Sequence, residues 1–215
     1  MAQPRGGASL DIATIPTSAM RWLISRLSRL QRKYPDITVR LAERTEPFVL
    51  AGGGFDAAIH FEHAAWTGMR THRLLDEVLV PACRPKLVKG SHGMATLDSL
   101  PRLHRRHDPD AWQRHAQETG IPPDNPAIGA RYDAHSILIE VALARLGVAL
   151  VPRLYVETEL ASGRLVAPWP EGATMAKTFC LILPEPIGVS SEPIQMFAQW
   201  VLDEAKKTTL AEPHS

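Results

Sequence analysis

The order of strand and helix patterns from Leu10 to Arg40 is the feature that most constrains the fold. The segment begins with β-branched residues typical of a strand, breaks at Pro16, and continues as an amphipathic helix predicted from Ser18 to Tyr34. Pro35 ends that helix because proline disfavours helical backbone at the preceding residue. A second strand follows at Ile37 to Arg40. Because strands joined through a helix lie parallel in one sheet, the sequence predicts an α/β fold.

The predicted first helix has a clear apolar face. At about 100° per residue, its apolar side chains fall within an arc of roughly 120°; they are Met20, Leu23, Ile24, Leu27, Leu30 and Tyr34. The basic residues lie outside this arc, and so does Trp22. A monomer has no evident use for an indole on the basic side of a helix, so we expect Trp22 to meet another subunit.

The same alternation of strands and helices continues along the chain. Thr45 and Pro47 predict a short helix through Leu50, and strands follow at FDAAIHF and at Arg73 to Cys83. The first α/β unit therefore extends from about Ser9 to Cys83.

A second α/β unit is predicted from Arg84 to Leu183. It contains a helix capped by Asp108 and closed by Gly120, and a helix from Ser136 to Leu146 that is apolar on nearly every side. Such a helix is expected to be buried all round, by its own sheet and by a neighbour. A last helix begins after Ser191.

Composition and charge exclude several classes of protein. The 215 residues carry a formal charge of +1, which gives no basis for nonspecific nucleic-acid binding. Two cysteines, Cys83 and Cys180, cannot form a disulfide scaffold in a chain of this size. Without an apolar run of membrane-spanning length or a signal sequence, the chain is predicted to be cytoplasmic, with no membrane partner. Its opening MAQPRGGAS resembles a linker remnant or a cloning scar.

No catalytic or metal-binding motif stands out. The glycines of GGGF precede a strand and lack the lysine of a phosphate-binding loop. His60 and His63, like His104 and His107, are three residues apart, but zinc sites need four converging ligands and usually paired cysteines. No G-x-S-x-G nucleophile motif is present. The sequence therefore predicts no metal, no cofactor and no enzyme activity.

Hydroxyl side chains stand at three predicted helix starts. Thr17 and Ser18 begin the first helix, Thr45 the second, and Ser136 the apolar helix of the second unit. A helix N-terminus favours an anion, and ligands of open α/β sheets lie beyond the carboxyl ends of the strands. Each hydroxyl alone is better explained by plain helix capping. Shared between two units, the three positions favour a ligand-binding cleft.

Several blocks together resemble the effector-binding domain of LysR-type transcriptional regulators. In the family's order, from about Ser9 to Lys206, they are LDIATIPTSAMRWLISRLSRLQRKYPDITVRL, FDAAIHF, DEVLVPACRPKL, DAWQRHAQETG and YDAHSILIEVALARLGVALVPRLYVETELASGRLV. Within the family the chain looks most like the branch of the glycine-cleavage activator and the β-lactamase regulators.

This resemblance implies two Rossmann-like lobes of the periplasmic-binding-protein type II class, joined by two crossover strands. Lobe I would comprise residues 9–83 and 184–207, and lobe II residues 84–183. A linker remnant at 1–8 and a flexible tail at 208–215 would flank them. The crossovers VLVPACRP and FCLILPE each contain one cysteine, so Cys83 and Cys180 would lie close, which would allow a redox switch.

Members of the family hold a small effector between their lobes. The resemblance assigns effector contacts in the first lobe to Pro16, Thr17, Ser18, Thr45, His60 and Phe61. In the second lobe it assigns them to His135, Ser136, Val151 and Pro152. The effector is expected to be anionic or amino-acid-like. Glu62 and His63 depart from the family pattern, which has a glycine and small or aromatic residues there, so the identity of the effector stays open.

We also predict a side-by-side antiparallel homodimer, and a tetramer in the full-length regulator. The first helix of one subunit would meet the helix from Ser136 to Leu146 of the other. The interface residues would be Trp22, Arg26 and Arg29 on one side and Leu138, Ala142 and Arg145 on the other. Operator DNA would be bound only through an N-terminal helix-turn-helix domain that this chain lacks.

Two other classes of protein remain open at this point. A stand-alone solute-binding protein serving a transporter would share the architecture but needs an export signal. An enzyme on this fold would need an acid–base pair, and none is recognisable in the sequence. A reading frame that continues upstream into a helix-turn-helix would decide for the regulator.

Overall fold

A computed structural model of the protein describes residues 7–50, 52–88, 100–120, 129–168, 173–184 and 191–211. Positions 1–6 of the predicted linker and 212–215 of the predicted tail lie outside these ranges. The strands are β1 (Ala8–Thr14), β2 (Ile37–Glu43), β3 (Ala57–Phe61), β4 (Arg70–Ala82), β5 (Arg102–Arg105), β6 (Arg131–Tyr132), β7 (Val148–Pro152) and β8 (Ala173–Leu183). The helices are α1 (16–33), α2 (Pro85–Val88), α3 (Ala111–Thr119), α4 (His135–Leu143), α5 (Glu157–Ala161) and α6 (Glu192–Ala211).

The chain divides into two compact units. Unit 1 comprises Met1–Asp76 and Ala176–Ser215, and unit 2 comprises Glu77–Met175. One division falls inside β4 and the other inside β8, a few residues before the lobe boundaries predicted at 83 and 183. A division within a strand leaves no mark in the sequence, because the alternation of side chains continues through it.

The sheet of unit 1 has the strand order β2-β1-β3-β8. β1 is parallel to β2 and β3, with Thr14 opposite Glu43 on one side and Ile59 on the other. β8 pairs antiparallel with β3. The predicted parallel arrangement of the first strands is confirmed, and their carboxyl ends share one edge of the sheet.

Helix α1 confirms the predicted helix but presents a different face to the core. It contains one π-turn, Ala19–Leu23, in which the N–H of Ile24 donates to the carbonyl oxygen of Ala19. This wider turn changes the direction in which the side chains point, relative to a regular α-helix. Trp22 and Leu23 are both buried, whereas Met20 and Ile24, which we placed on the apolar face, are 49 % and 48 % exposed.

The predicted helix from Thr45 to Leu50 is wrong, because residues 44–50 form neither helix nor strand. Leu50 packs with Ala13 and Trp66 in the core of unit 1, and Phe48 lies against the same cluster. So short a segment gains little from helix formation by itself. The core contacts of its apolar side chains decide its path instead.

In unit 2, β5 lies between β6 and β7 and is parallel to both, while β4 pairs antiparallel with β7. Trp112 of α3 packs in the core with Leu79 and Leu150. Its indole Nε1 donates to the carbonyl oxygen of Leu103 at 3.0 Å. The sheet and α3 thus enclose one apolar core, as an α/β unit requires.

The ends of α3 match the sequence prediction only in part. Gly120 closes the helix with a φ of +69°, a conformation that glycine adopts without strain. Asp108 does not cap the helix, which begins at Ala111. Its carboxylate instead accepts hydrogen bonds from Nη2 of Arg114 at 2.6 and 2.7 Å. An arginine one turn into the helix therefore takes the carboxylate away from the backbone amides.

Helix α4 is shorter than predicted and is not buried on every side of this chain. Leu138, Ile139 and Ala142 face the core with no exposed surface. Ile137 is 44 % exposed, and Leu146, which lies beyond the end of the helix, is 59 % exposed. The apolar character predicted from the sequence therefore leaves two large side chains uncovered in this chain.

Candidate functional site

The carboxyl edge of the unit 1 sheet gathers the polar residues predicted for that unit. Pro16, Thr17 and Ser18 follow β1, Thr45 follows β2, and His60 and Phe61 end β3. The N–H of Arg44 donates to the carbonyl oxygen of Thr14, which fixes the chain after β2 beside the end of β1. Ligands of open α/β sheets bind at such an edge.

Ser18 is engaged within its own turn. Its hydroxyl donates to the carbonyl oxygen of Ile15 at 2.9 Å and lies 3.3 Å from the hydroxyl of Thr14. This bond closes the turn from β1 into α1. Because its only hydroxyl proton is already used, Ser18 is unsuited to donate to an effector. In this geometry Ser18 is engaged within the chain, and its contact with an effector stays a prediction.

Thr17 differs from Ser18 although both are only 4 % exposed. Within the described part of the chain, the hydroxyl of Thr17 makes no hydrogen bond. It lies in the first turn of α1, where the backbone amides have no acceptor within the helix. Thr17 is therefore the best candidate donor to a ligand at this edge.

His60 links the ends of β2 and β3. Its ring is 3 % exposed, with Nε2 3.3 Å from the carbonyl oxygen of Thr45 and Nδ1 3.4 Å from that of Phe61. Burial lowers the pKa of His60, so the neutral ring is favoured. A neutral imidazole has one N–H and satisfies only one of these carbonyls. Thr45 contributes its backbone here, while its side chain is exposed.

An aromatic and cationic surface adjoins His60. The rings of Phe61 and Phe179 lie 4.5 Å apart, and Nζ of Lys177 lies 5.2 Å from the centre of the Phe61 ring. Sequence reasoning missed Lys177 and Phe179. They could have been found from their position, because both lie on β8, a strand of the same sheet that was predicted only as a crossover. Glu62 and His63, which depart from the family pattern, are both exposed.

The predicted residues of unit 2 lie at the start of α4 and the end of β7. His135 is 7 % exposed and its ring centre is 5.8 Å from that of Tyr155. Ser136 is the second residue of α4 and does not cap it, because the cap position is Ala134. Val151 and Pro152 are buried in β7, where Pro152 pairs with Leu79.

A pocket beside His135 collects polar residues that sequence reasoning missed. Its polar lining comes from Glu77, Arg105 and Asp108, together with His135. Burial and the negative charge of Glu77 raise the pKa of the neighbouring Tyr155 well above its ordinary value. Glu77 could have been found from its position in β4. It lies between Leu75 and Leu79 on the same strand face, where a charged residue among apolar ones is unexpected.

The residues predicted for a dimer interface mostly serve the chain itself. Trp22 is 2 % exposed, and its Nε1 donates to the hydroxyl of Thr208 at 3.1 Å. Arg26 lies over the Trp22 ring at 5.1 Å, and Arg29 donates to Glu204 at 2.6 Å. The premise that a monomer has no use for Trp22 is therefore wrong, since the indole holds α6 against α1. Helix α6 accordingly continues to Ala211, beyond the predicted start of a flexible tail at 208.

Leu138 and Ala142, predicted for the other side of the interface, have no exposed surface in this chain. Arg145 is exposed and adopts a positive φ of 70° just after α4. The sequence pattern identified an apolar helix, but the large apolar side chains exposed on or just after it are Ile137 and Leu146 instead of the predicted interface residues. The burial of Trp22, Leu138 and Ala142 within this chain favours other residues for the interface, and the interface itself stays a prediction.

Cys83 and Cys180 are free and buried. Burial raises the pKa of both thiols to about 11. Within the ranges that the structure describes, no group of three His, Cys, Asp or Glu side chains could hold a metal ion. Among the same residues, no helix combines the length and apolar character needed to span a membrane.

Comparison with known proteins places these features in a family context. Residues 3–206 match the family described as the LysR substrate binding domain. The glycine cleavage system transcriptional activator of Escherichia coli K12 is 28 % identical over 199 residues, which are 92 % of this chain. The regulator TrpI of Pseudomonas aeruginosa is 31 % identical over 88 % of the chain. The chain spans 65 % of the length of each of these relatives.

A solved structure shows the same fold. The effector domain of the transcriptional regulator AmpR of Pseudomonas aeruginosa superposes with a TM-score of 0.81 at 25 % identity. The match covers 94 % of this chain and 98 % of that one.

Proposed function

Because this chain belongs to the LysR substrate-binding domain family, we propose that it senses a small anionic or amino-acid-like effector on behalf of a transcriptional regulator. The predicted family, its branch and the periplasmic-binding-protein type II fold class are confirmed. The curated relatives described above are regulators rather than solute-binding proteins or enzymes. This favours the regulator over the alternative of a transporter-linked binding protein.

The observation that supports the effector site best is the hydroxyl of Thr17, which makes no hydrogen bond to the described residues and lies in the first turn of α1. In our proposal it donates to a carboxylate of the effector, together with the first amides of α1. The partial positive charge of the helix start favours the same anionic group. The Phe61 surface, with Lys177 over its ring, would accept the rest of a small molecule. The contacts assigned to His135, Ser136, Val151 and Pro152 in unit 2 stay predictions.

A homodimer is the second part of the proposal. Large apolar side chains are exposed on α1 and at α4, namely Met20, Ile24, Ile137 and Leu146. We expect α1 of one subunit to meet α4 of its partner through these residues, in place of the ones first assigned. Arg145 would lie at the rim. A tetramer, and binding to operator DNA through a further domain, are proposed for the full-length regulator only.

A thermal-shift screen of amino acids and small carboxylic acids would test the effector site. Ligands that bind the native state raise its melting temperature by mass action. We expect a shift for at least one compound, retained in Thr38→Val and lost in Thr17→Val. Thr38 is the matched control because it is an exposed threonine on β2 of the same unit. A shift of equal size in both variants would exclude Thr17 as an effector contact.

A further inference from the structure

Unit 1 contains a cavity away from the carboxyl edge of its sheet. Its volume is about 280 Å³. The walls come from the start of β4, the end of β8 and one face of α6: Arg70, His72, Leu183, Ile194, Gln195, Ala198, Gln199 and Leu202. None of these residues belongs to the edge formed by Thr17, Thr45, His60 and Phe61. The cavity is therefore a separate feature of the same unit.

Arg70 is the residue that gives the cavity its chemistry. Its guanidinium Nη2 is buried and has no hydrogen-bond partner among the residues that the structure describes. A buried charged donor without an acceptor is unfavourable, and such groups in native proteins are normally satisfied. His72 lies on the same face of β4, because side chains two apart in a strand point to the same side. The two nitrogen-bearing side chains together favour an anionic group.

The rest of the cavity is largely apolar. Leu183, Ile194 and Ala198 are each less than 9 % exposed, and Leu202 extends the same surface. Gln199 is held by its own helix, since its Nε2 donates to Asp203 at 2.9 Å. The volume lies just below the range of ~300–1,000 Å³ typical of small-molecule sites. A compact organic molecule fits these dimensions, whereas a folded partner does not.

We propose that this cavity is a second ligand site, which binds a small monocarboxylic acid with an apolar body. The carboxylate accepts hydrogen bonds from Arg70, which can present two parallel N–H groups to it. The hydrocarbon part lies against Leu183, Ile194 and Leu202. This site goes beyond the proposed effector site, and either one can exist without the other.

NMR titration of the methyl-labelled chain with isovalerate, hexanoate and phenylacetate tests the proposal. We expect at least one acid to shift the methyl signals of Leu183, Ile194 and Leu202 in a saturable manner. The corresponding neutral amides should bind at least ~10-fold more weakly, because they lack the charge that Arg70 pairs with.

Two variants and two controls make the result specific. Arg70→Gln should weaken binding at least ~10-fold, while Arg32→Gln, the same substitution at an exposed arginine of α1, should leave it unchanged. Ala198→Met fills the cavity and should also abolish binding, which keeps the test decisive if Arg70→Gln does not fold. The shifts of the Leu183, Ile194 and Leu202 methyl signals should persist in Thr17→Val, although that variant is expected to weaken the proposed effector site.

Three results would overturn the second site. The first is that none of the acids shifts these methyl signals. The second is equal affinity for acids and amides. The third is a shift confined to residues around Thr17 and lost in Thr17→Val, which would assign the acids to the proposed effector site instead.

Discussion

Helices α1 and α4 each follow a strand of their own unit, but they use their outer surfaces differently. Helix α1 carries a basic surface with a tryptophan, and the chain covers it with its own last helix through Trp22, Arg29 and Glu204. Helix α4 has almost no charge, and it leaves Ile137 exposed. The basic surface and Trp22 of α1 thus serve internal packing. In our proposal the partner surface is formed instead by exposed apolar side chains on both helices, Met20 and Ile24 of α1 and Ile137 of α4.

The charge pairs around Glu204 explain why α1 holds α6. Its side chain is 2 % exposed and accepts hydrogen bonds from Arg29 at 2.6 Å and Lys207 at 2.8 Å. Burial raises the pKa of Glu204, but the hydrogen bonds from Lys207 and Arg29 outweigh it and the net pKa is lowered. A buried carboxylate needs such partners to stay ionised.

Of the substitutions that test this comparison, replacing Trp22 should cause the largest loss of stability. Trp22→Ala removes a buried indole and one of the two donors to the hydroxyl of Thr208, the other being Arg26, so we expect a loss of about 3–5 kcal/mol in the free energy of unfolding. Urea denaturation at two protein concentrations measures it. Ile24→Ala, at a half-exposed position of the same helix, should cost far less. A loss that grows on dilution would return Trp22 to a subunit interface.

Replacing Glu204 should give the next largest effect. Glu204→Gln removes the charge that holds Arg29 and Lys207, and we expect a loss of about 1–2 kcal/mol at neutral pH, since both cations are more than half exposed. The folded-state pKa is lowered, so this stabilisation is present above the ordinary pKa of 4.5 and disappears as pH falls through the folded-state pKa. Denaturation at several pH values would show the two proteins converge in acid. A constant difference across the pH range would contradict the ion-pair explanation.

Charging the exposed apolar side chains should weaken the proposed dimer. Ile24→Glu or Ile137→Glu is expected to raise the dissociation constant at least ~10-fold, about 1.4 kcal/mol, while the free energy of monomer unfolding changes by less than ~0.5 kcal/mol. Sedimentation velocity measures the association. Gln31→Glu adds the same charge at another exposed position of α1 and serves as control. An unchanged dimer in both charged variants would show that these side chains are not the interface.

The smallest effect is expected for the reactivity of the two buried cysteines, Cys83 in unit 2 and Cys180 in unit 1. Because their pKa is raised to about 11 from an ordinary 9.0, the thiolate fraction near neutral pH falls roughly 100-fold. Labelling with a thiol reagent should be correspondingly slow in the native protein and fast in urea. Rapid labelling of the native protein would contradict this expectation and favour the predicted redox switch.

The sequence predicted the elements of the fold well where local pattern decides them. The β1–α1–β2 succession and the helix end at Gly120 follow from residue type and spacing, whereas the family was recognised by the resemblance of whole blocks. The inward orientation of the Trp22 side chain could not be predicted, because it depends on a π-turn and on a hydrogen bond to Thr208, which is distant in the sequence. The absent helix at 45–50 has the same cause, since Leu50 is positioned by core contacts with Ala13 and Trp66.

The candidate site shows the same limit at finer scale. The residue types at the end of β1 indicated an anion site, and the structure gathers them at one edge of the sheet. Sequence could not distinguish Thr17 from Ser18, because the difference lies in a single hydrogen bond from Ser18 to the carbonyl oxygen of Ile15. Only the geometry shows which of the two hydroxyls is already engaged within the chain.

The central claim is that an anionic effector binds the unit 1 edge through Thr17. Isothermal titration of the best compound from the screen into the wild type, Thr17→Val and Thr38→Val tests it most directly. A hydrogen bond to a charged group contributes about 1.5–3 kcal/mol, so we predict a Kd roughly 10–100-fold weaker for Thr17→Val and unchanged for Thr38→Val. An unchanged Kd in Thr17→Val would contradict the claim and place the effector elsewhere in the chain.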